Sequence, residues 1–163
     1  MFVVSDTSVI SNLAIVGLLR VLKHQCISVT IPQAVERELL ALDRADALTA
    51  IQSALREGWL QVSLLSVDEA EFASTLKLDP GESEAIALAK ARGATLLCMD
   101  ERRGRAKALE LGLPLVGIMG LLLREKKVGR LEAVKPHLIA LIEQSNFFMS
   151  ASLMSEVLEL ADE

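Results

Sequence analysis

The sequence predicts an α/β fold, a three-layer α/β/α sandwich around a five-stranded, mainly parallel sheet. Short β-branched runs alternate along the chain with longer helical patterns, which is typical of a parallel sheet covered by helices on both faces. The chain has 163 residues, of which 52% are hydrophobic and 3% aromatic, so its core is aliphatic and large enough to fold without disulfides. We expect a single domain over residues 1–163, with a C-terminal helical extension at about 146–163.

The candidate strands are short and rich in branched aliphatic residues. They cover residues 2–5, 27–31, 61–65, 95–99 and 115–117. Helical periodicity predicts helices over residues 9–22, 33–42, 45–57, 68–76, 80–92, 102–111, 118–126, 131–143 and 153–160. A doubly wound sheet of these strands predicts the spatial order 3-2-1-4-5.

The start of the helix over residues 80–92 has its own chemical signature. Asp79 stands at the N-cap, Pro80 at the first helical position and Glu82 at the third. At the other end, Gly93 fits the left-handed C-terminal cap that precedes the next strand. These residues predict both boundaries of the helix.

Charge and cysteine content exclude several classes of protein. The net charge of −5 and the pI of about 5.2 argue against a protein that coats nucleic acid through bulk positive charge. Cys26 and Cys98 have apolar neighbours and no Cys-x-x-Cys spacing, so we expect reduced core residues. The first ten residues contain no basic leader, and the apolar stretch at 117–123 is far shorter than the ~20 residues of a membrane span. The sequence therefore predicts a cytoplasmic protein that does not contact membranes.

Two aspartates follow strands that are predicted to be neighbours. Asp6 ends the first strand and Asp100 ends the fourth, and in the order 3-2-1-4-5 these strands lie side by side, ~4.8 Å apart. The two carboxylates repel each other, and a divalent cation that prefers hard oxygen ligands, Mg²⁺ or Mn²⁺, relieves this repulsion. The alternative is structural, because each aspartate also stands where it could cap the following helix.

Three glutamates are further candidates for the same site. Glu38 borders the apolar stripe of its predicted helix, so its side chain is able to face inward. Glu82 has either a capping role or a role in the site, since a first helical turn favours carboxylates whatever their function. Glu84 lies beyond the capping position and begins a run of small residues, which allows the helix to approach the sheet closely. The choice between Glu82 and Glu84 stays open.

Six short motifs span most of the chain. They are Val-Ser-Asp-Thr-Ser at 4–8, Glu-Leu at 38–39, Leu-Asp-Pro-Gly-Glu-Ser-Glu-Ala-Ile-Ala-Leu-Ala at 78–89, Met-Asp-Glu-Arg at 99–102, Gly-Leu-Pro-Leu-Val-Gly at 112–117 and Lys-Lys-Val-Gly-Arg at 126–130. Together they resemble a PIN domain, and more narrowly the DUF3368 group of PIN-like proteins.

The resemblance implies a nuclease that binds Mg²⁺ or Mn²⁺ and cleaves RNA, and many proteins of this kind are VapC-like toxins of toxin–antitoxin pairs. It also implies the partners: an RNA substrate, a small antitoxin protein and a second copy of the chain in a homodimer. Carried over by position, the catalytic and metal-binding acids are Asp6, Glu38, Glu84 and Asp100, with Glu82 as a competing metal ligand and Ser8 as the supporting hydroxyl.

Basic residues are concentrated directly after Asp100. Residues 102–135 contain nine basic and three acidic side chains, a net charge of +6. Such a segment beside an acidic site is suited to hold phosphates, although a solvated helix face is the alternative for each residue. The expected phosphate-binding residues are Arg102, Arg103, Arg105 and Lys107.

The last part of the chain is apolar with helical spacing. The pattern begins at Asn146-Phe147-Phe148-Met149 and continues through residues 153–160. It either packs on its own domain or contacts a second subunit or a partner helix.

Two other functions compete with the nuclease. A PIN-like scaffold would bind RNA or a protein partner without cleaving it, and would tolerate the loss of a carboxylate. A phosphotransfer domain also places an aspartate after a strand, but Asp6-Thr7-Ser8 lacks the Asp-x-Asp of haloacid-dehalogenase-like phosphatases, and no receiver-like acidic doublet follows the first strand. A metal-dependent endoribonuclease fits the residues best.

Overall fold

The computed structural model describes residues 1–145 and 147–163, and within these residues it confirms the predicted fold class. Five strands form one sheet in the order β3-β2-β1-β4-β5, and every neighbouring pair is parallel. The strands are β1 (Val3–Ser5), β2 (Val29–Pro32), β3 (Leu60–Ser63), β4 (Leu96–Cys98) and β5 (Leu115–Val116). Because β1 lies between β2 and β4, the strand order reverses at the centre of the sheet.

Ten helices in the described residues surround this sheet. They are α1 (Thr7–Ile15), α2 (Arg20–Cys26), α3 (Gln33–Leu40), α4 (Ala45–Arg56), α5 (Val67–Thr75), α6 (Pro80–Ala91), α7 (Arg102–Glu110), α8 (Ile118–Lys127), α9 (Lys135–Ser145) and α10 (Ala151–Leu160).

Alternate strand residues face two separate cores. Val3 and Cys98 lie in the larger core, which contains residues of α1 to α4 and α8 to α10. Val4, Leu97 and Met99 lie in the smaller core, which contains residues of α6 and α7. Since successive strand side chains point to opposite faces, each face of the sheet has its own helical layer. Both faces are covered, which leaves the carboxyl ends of the strands as the place for a ligand.

The single helix predicted over residues 9–22 is wrong, because the chain forms two helices there. α1 ends at Ile15 and α2 begins at Arg20. Between them Gly17 has a φ of 74°, a left-handed conformation that ends a helix and that glycine adopts without strain. α1 also begins two residues earlier than predicted, at Thr7.

Other boundaries also differ from the prediction by a few residues. The second strand begins at Val29, since Ile27 has a φ of 63° and is 81% exposed. The helix predicted from residue 131 begins at Lys135. Before it, the amide of Val134 donates to the side chain of Glu163 at 2.6 Å, so the last residue of the chain binds the start of α9.

The C-terminal residues pack on their own chain. Val157 of α10 is buried in the larger core, and the Glu163 carboxylate pairs with Lys126 of α8 at 2.8 Å. Asn146, the first residue of the predicted apolar pattern, lies outside the described residues. A subunit interface through this region stays a prediction.

The two cysteines are free and buried, as expected for reduced core residues. In the described ranges, no helix is both long enough and apolar enough to cross a membrane.

Candidate active site

An open cleft of about 1210 Å³ lies at the carboxyl ends of the central strands. Asp6 directly follows β1, and Asp100 follows β4 by two positions. The amide of Asp6 donates to the carbonyl oxygen of Cys98 at 3.0 Å, so the parallel pairing of β1 with β4 places the two aspartates at one edge. The carboxylate residues that line the cleft are Asp6, Glu38, Asp79, Glu82, Asp100 and Glu101.

Asp6 is only 1% exposed. Its carboxylate accepts hydrogen bonds from the Ser8 hydroxyl, at 2.9 and 2.8 Å, and from the Val9 amide at 3.2 Å. Burial raises the pKa of Asp6 to about 8, and the negative charges of Asp100 and Glu82 add to this effect. Asp6 therefore caps α1 and also lines the cleft, so the two roles considered for it occur together.

Asp100 caps a different helix from the one that follows it. Oδ2 of its carboxylate accepts a hydrogen bond, at 3.1 Å, from the amide of Ile118. Ile118 is the first residue of α8. The N-cap of α7 is Glu101, so the expected cap of the helix from Arg102 onward is wrong. Burial raises the pKa of Asp100 to about 6, while its hydrogen bond and the charge of Arg105 oppose the rise.

Ser8 connects the two aspartates. Its hydroxyl donates to Asp6 and lies 3.4 Å from the amide nitrogen of Asp100, which donates to it. One hydroxyl group thus fixes the position of both acidic residues relative to the start of α1.

Glu82 lies inside the cleft and is 9% exposed. Burial is the main reason why the pKa of Glu82 is raised, and the negative charges of Asp79 and Glu101 raise it further. The Asp79 side chain accepts no capping hydrogen bond from the residues that the structure describes, so the reciprocal capping box is absent. A hydrogen bond from the backbone of Asp79 still lowers the pKa of Glu82, so this carboxylate contacts the start of α6 and also lines the cleft.

Glu38 lies at the edge of the cleft. Its carboxylate accepts hydrogen bonds from the Thr7 hydroxyl and from the amide of Gly81, the latter at 3.0 Å. A Cβ at Gly81 would lie 2.9 Å from Cδ of Glu38, so only glycine allows this approach. Glu38 therefore holds the starts of α1 and α6 together beside the cleft.

Glu84 points away from the other acids. Its carboxylate accepts from the amide of Ala34 in the first turn of α3, at 3.0 Å, and lies 4.0 Å from the Arg37 guanidinium. Glu84 is not among the described residues that line the cleft. The structure thus brings Asp6, Glu82 and Asp100 together, with Glu38 at the edge, and does not bring Glu84 to them.

Glycines provide the space for two of the clustered carboxylates. A Cβ at Gly117 would overlap Oδ1 of Asp100, whereas a Cβ at Gly104 would lie 2.7 Å from the Met99 sulfur and 3.1 Å from Oε1 of Glu82. A larger residue at position 117 would push the Asp100 carboxylate aside, and one at position 104 would crowd Met99 first and Glu82 next. The backbone of α7 and the turn before α8 are therefore part of the acidic site.

Two of the expected phosphate-binding residues line the cleft. Arg102 is exposed at its rim, and Arg105 lies beside Asp100, where its Nη1 donates to the carbonyl oxygen of Met99 at 2.7 Å. Both belong to α7, and Arg102 is the more exposed of the two.

The other two expected phosphate-binding residues have partners elsewhere. Arg103 donates to the carbonyl oxygen of Lys77 at 3.0 Å, and Lys107 pairs with Glu110 at 2.7 Å. Neither is among the cleft-lining residues in the described part of the chain. Of the four expected residues, the structure places Arg102 and Arg105 at the cleft, and phosphate binding by any of them stays a prediction.

The family model DUF3368, described as a PIN domain, matches residues 2–163. The chain belongs to this family. PIN domains are generally nucleases, which identifies the acidic cleft as the candidate active site of a nuclease. No curated protein matches the chain.

The acids of this PIN domain fit a hard divalent cation by their chemistry. Asp6, Glu82 and Asp100 offer only carboxylate oxygens, and glycines leave room for two of them. Within residues 1–145 and 147–163, no three His, Cys, Asp or Glu side chains already converge as a ligand set. Such an open arrangement is suited to Mg²⁺, which keeps several waters and takes one or two carboxylates together with substrate phosphates.

Sequence reasoning missed several residues of the PIN-domain cleft. Thr7, Asp79 and Glu101 line it, and each is adjacent to or within three positions of an acid that was singled out. Their proximity in sequence was the available signal. Phe147 and Phe148 also line the cleft, and no local pattern could indicate this because α9 brings them there.

Proposed function

We propose that this PIN domain is an endoribonuclease that hydrolyses RNA phosphodiester bonds with bound Mg²⁺ or Mn²⁺. The observation that carries the proposal is the juxtaposition of Asp6 and Asp100 at neighbouring strand ends, with a raised pKa at both. Clustered carboxylates with raised pKa values in a cleft are typical of functional sites. The RNA substrate is supported by the resemblance to PIN nucleases and by the arginines at the rim.

The proposed metal-binding residues are Asp6, Asp100 and Glu82. Glu82 takes the role that the resemblance assigned to Glu84, since Glu82 lies in the cleft and is buried beside the aspartates. Glu38 stands at the edge, where its carboxylate is already shared by two hydrogen bonds. We propose it as the residue that shapes this side of the site and as a ligand only through water.

The chain's own residues position the substrate and the acids. Ser8 holds the Asp6 carboxylate in one orientation, and Arg102 attracts a phosphate of the RNA backbone at the rim. A bound divalent cation supplies the positive charge that neutralises the phosphate oxygens as negative charge develops on them. A carboxylate of this cleft that does not hold the cation would accept the proton of the water that attacks the phosphate.

The test compares wild-type protein with Asp6→Asn and Asp100→Asn. A mixed-sequence RNA pool is incubated with each protein in Mg²⁺, Mn²⁺ or EDTA, and circular dichroism verifies the fold. Asp68→Asn, which changes an exposed aspartate on α5, is the matched control. We expect cleavage only by wild type and the control, and only with metal. Cleavage that survives EDTA or either cleft substitution contradicts the proposal.

A second candidate function is an RNA- or protein-binding scaffold without catalysis. The observation in its favour is that no three ligating side chains converge within the described residues. Calorimetric titration of RNA into the protein, with and without Mn²⁺, separates the two functions. A scaffold binds RNA equally well under both conditions, and Asp6→Asn leaves its RNA affinity unchanged.

The resemblance to VapC-like toxins extends the proposal to a toxin that a small antitoxin protein neutralises. Induced expression of the wild-type chain should then arrest bacterial growth, whereas Asp100→Asn should not. Undisturbed growth would remove the toxin role and leave the nuclease proposal to be judged by the cleavage assay.

We also propose a homodimer, for which light scattering should give twice the chain mass of 17.7 kDa.

A further inference from the structure

Apolar residues line the cleft together with its acids, and we call them its apolar end. This apolar end is formed by Leu109, Leu115, Met119, Phe147, Phe148 and Leu153. Phe148 is 88% exposed and Leu109 is 62% exposed. A large aromatic ring with almost all of its surface in water is unusual in a chain whose other phenylalanines are at least partly covered.

Phe148 is held in this position by its neighbours. Phe147 and Met149 both pack against the larger core, and the amide of Phe147 donates to the carbonyl oxygen of Leu141 at 3.3 Å. Residues 147–150 form neither helix nor strand, and Phe147 and Phe148 both line the cleft. The contacts of Phe147 and Met149 with the larger core anchor the segment that carries the exposed Phe148 ring.

The apolar end and the acidic end share one cleft with arginines. Arg102 and Arg105 line it together with Phe148. The sequence contains only five aromatic residues, four Phe and one Trp, and two of them are at this cleft. An occupant that matches this surface presents an anionic group to the arginines and a flat apolar face to Phe148.

We propose that Phe148 stacks on an unpaired nucleobase of the RNA that enters the cleft. This inference rests on the proposed function, because it assumes that RNA enters the acidic cleft. A nucleotide carries a flat aromatic base and an adjacent phosphate, which match the ring and the arginines. In a duplex both faces of a base are stacked and its edge is paired, so no face is free for Phe148. Phe148 is a specificity-determining residue and takes no part in the chemistry.

The test measures binding in EDTA, where cleavage does not interfere. Fluorescence anisotropy reports the Kd of a labelled 12-nucleotide mixed-sequence RNA, as single strand and as duplex, for wild type, Phe148→Ala and Phe148→Trp. Val67→Ala, which removes an equally exposed apolar side chain (73%) on α5, is the control. We expect Phe148→Ala to weaken single-strand binding roughly 5- to 100-fold, with Phe148→Trp and Val67→Ala like wild type.

An abasic version of the same oligonucleotide identifies the group that Phe148 contacts. It keeps every phosphate and lacks the bases, so wild type should bind it as weakly as Phe148→Ala does, and the substitution should cause no further loss. Equal single-strand affinities of wild type and Phe148→Ala overturn the inference. So does a loss of dimer mass in Phe148→Ala without a change in RNA affinity, which would assign the ring to a subunit interface.

The outcomes keep this inference separate from the nuclease proposal. If Phe148→Ala weakens single-strand binding and the wild-type protein cleaves nothing with metal, the stacking contact stands and the nuclease proposal fails. If the wild type cleaves with metal and Phe148→Ala binds and cleaves single strands equally well, the nuclease proposal stands and the stacking contact fails.

Discussion

Glu38 and Glu84 each accept a hydrogen bond from the start of the other residue's helix. Glu38 of α3 binds the amide of Gly81 in α6, and Glu84 of α6 binds the amide of Ala34 in α3, both at 3.0 Å. The unpaired amides of a helix start favour a carboxylate, so this exchange ties the two helices together. It also commits the Glu84 carboxylate to α3, and Glu82 remains to line the cleft.

Glu84→Ala should destabilise the protein without changing its affinity for metal. Loss of the contact to Ala34 leaves a helix-start amide without its carboxylate, and we expect the free energy of unfolding in urea to fall by about 1 kcal/mol. Glu82→Gln is the comparison, and it should weaken Mn²⁺ binding in calorimetry while the fold stays stable. If the folded Glu84→Ala protein loses Mn²⁺ binding and Glu82→Gln keeps it, the resemblance was correct to assign the third acid to Glu84.

Gly117→Ala should weaken metal binding although it removes no ligand. The added methyl group would overlap Oδ1 of Asp100, while the φ of Gly117, −108°, is one that alanine adopts without strain. Displacing a supported ligand typically costs about 10- to 100-fold in metal affinity. Gly120→Ala is the control on the same helix, since its Cβ would meet only a Val116 methyl group at 3.0 Å. Equal Mn²⁺ affinities of the two variants would contradict the assignment of Asp100 as a ligand.

The contribution of Asp6 to the stability of the metal-free protein should fall as the pH rises from about 4 to about 8. Asp6 has a pKa of about 8 in the fold, because burial disfavours its charge, against 3.8 ordinarily. Between these values the unfolded chain has released the proton that the folded chain retains, so this contribution is greatest below 3.8 and declines through the folded pKa. The advantage in Tm of Asp6→Asn over wild type, measured in EDTA, should therefore grow from pH 5 to pH 8. A constant difference, or the same trend in Asp68→Asn, would show that Asp6 is not the cause.

Arg102→Ala should reduce the salt dependence of RNA binding. Each phosphate contact to single-stranded RNA contributes about 0.7 to the slope of log K against log salt concentration. Arg102 lies exposed at the rim of the cleft, whereas Lys107 is paired with Glu110 outside it. We expect the slope to fall by about 0.7 for Arg102→Ala and to stay unchanged for Lys107→Ala in anisotropy titrations. A larger effect of Lys107→Ala would place the RNA along a different face of α7.

The parallel strands could be predicted from local patterns, and the expected order 3-2-1-4-5 of a doubly wound sheet then places Asp6 and Asp100 at neighbouring strand ends. Short apolar runs between helices require parallel strands, and parallel strands bring their carboxyl ends to one edge. The break between α1 and α2 was not predicted, since the helical pattern continues across Gly17 while its backbone turns left-handed. The direction of the Asp100 carboxylate was also missed, because its partner, the start of α8, is 18 residues away.

The fold class, the family and the two aspartates at the strand ends follow from the sequence, because each depends on residues that are close in sequence or on a rule of parallel topology. Which of Glu82 and Glu84 lines the cleft depends on how the helices pack. Glu82 and Glu84 are two residues apart, which rotates their side chains by about 200° around the helix, so both cannot face the strand ends. The sequence of α6 does not indicate on which side α3 lies. The packing of α3 against α6 supplies that information by giving Glu84 the amide of Ala34 and leaving Glu82 in the cleft.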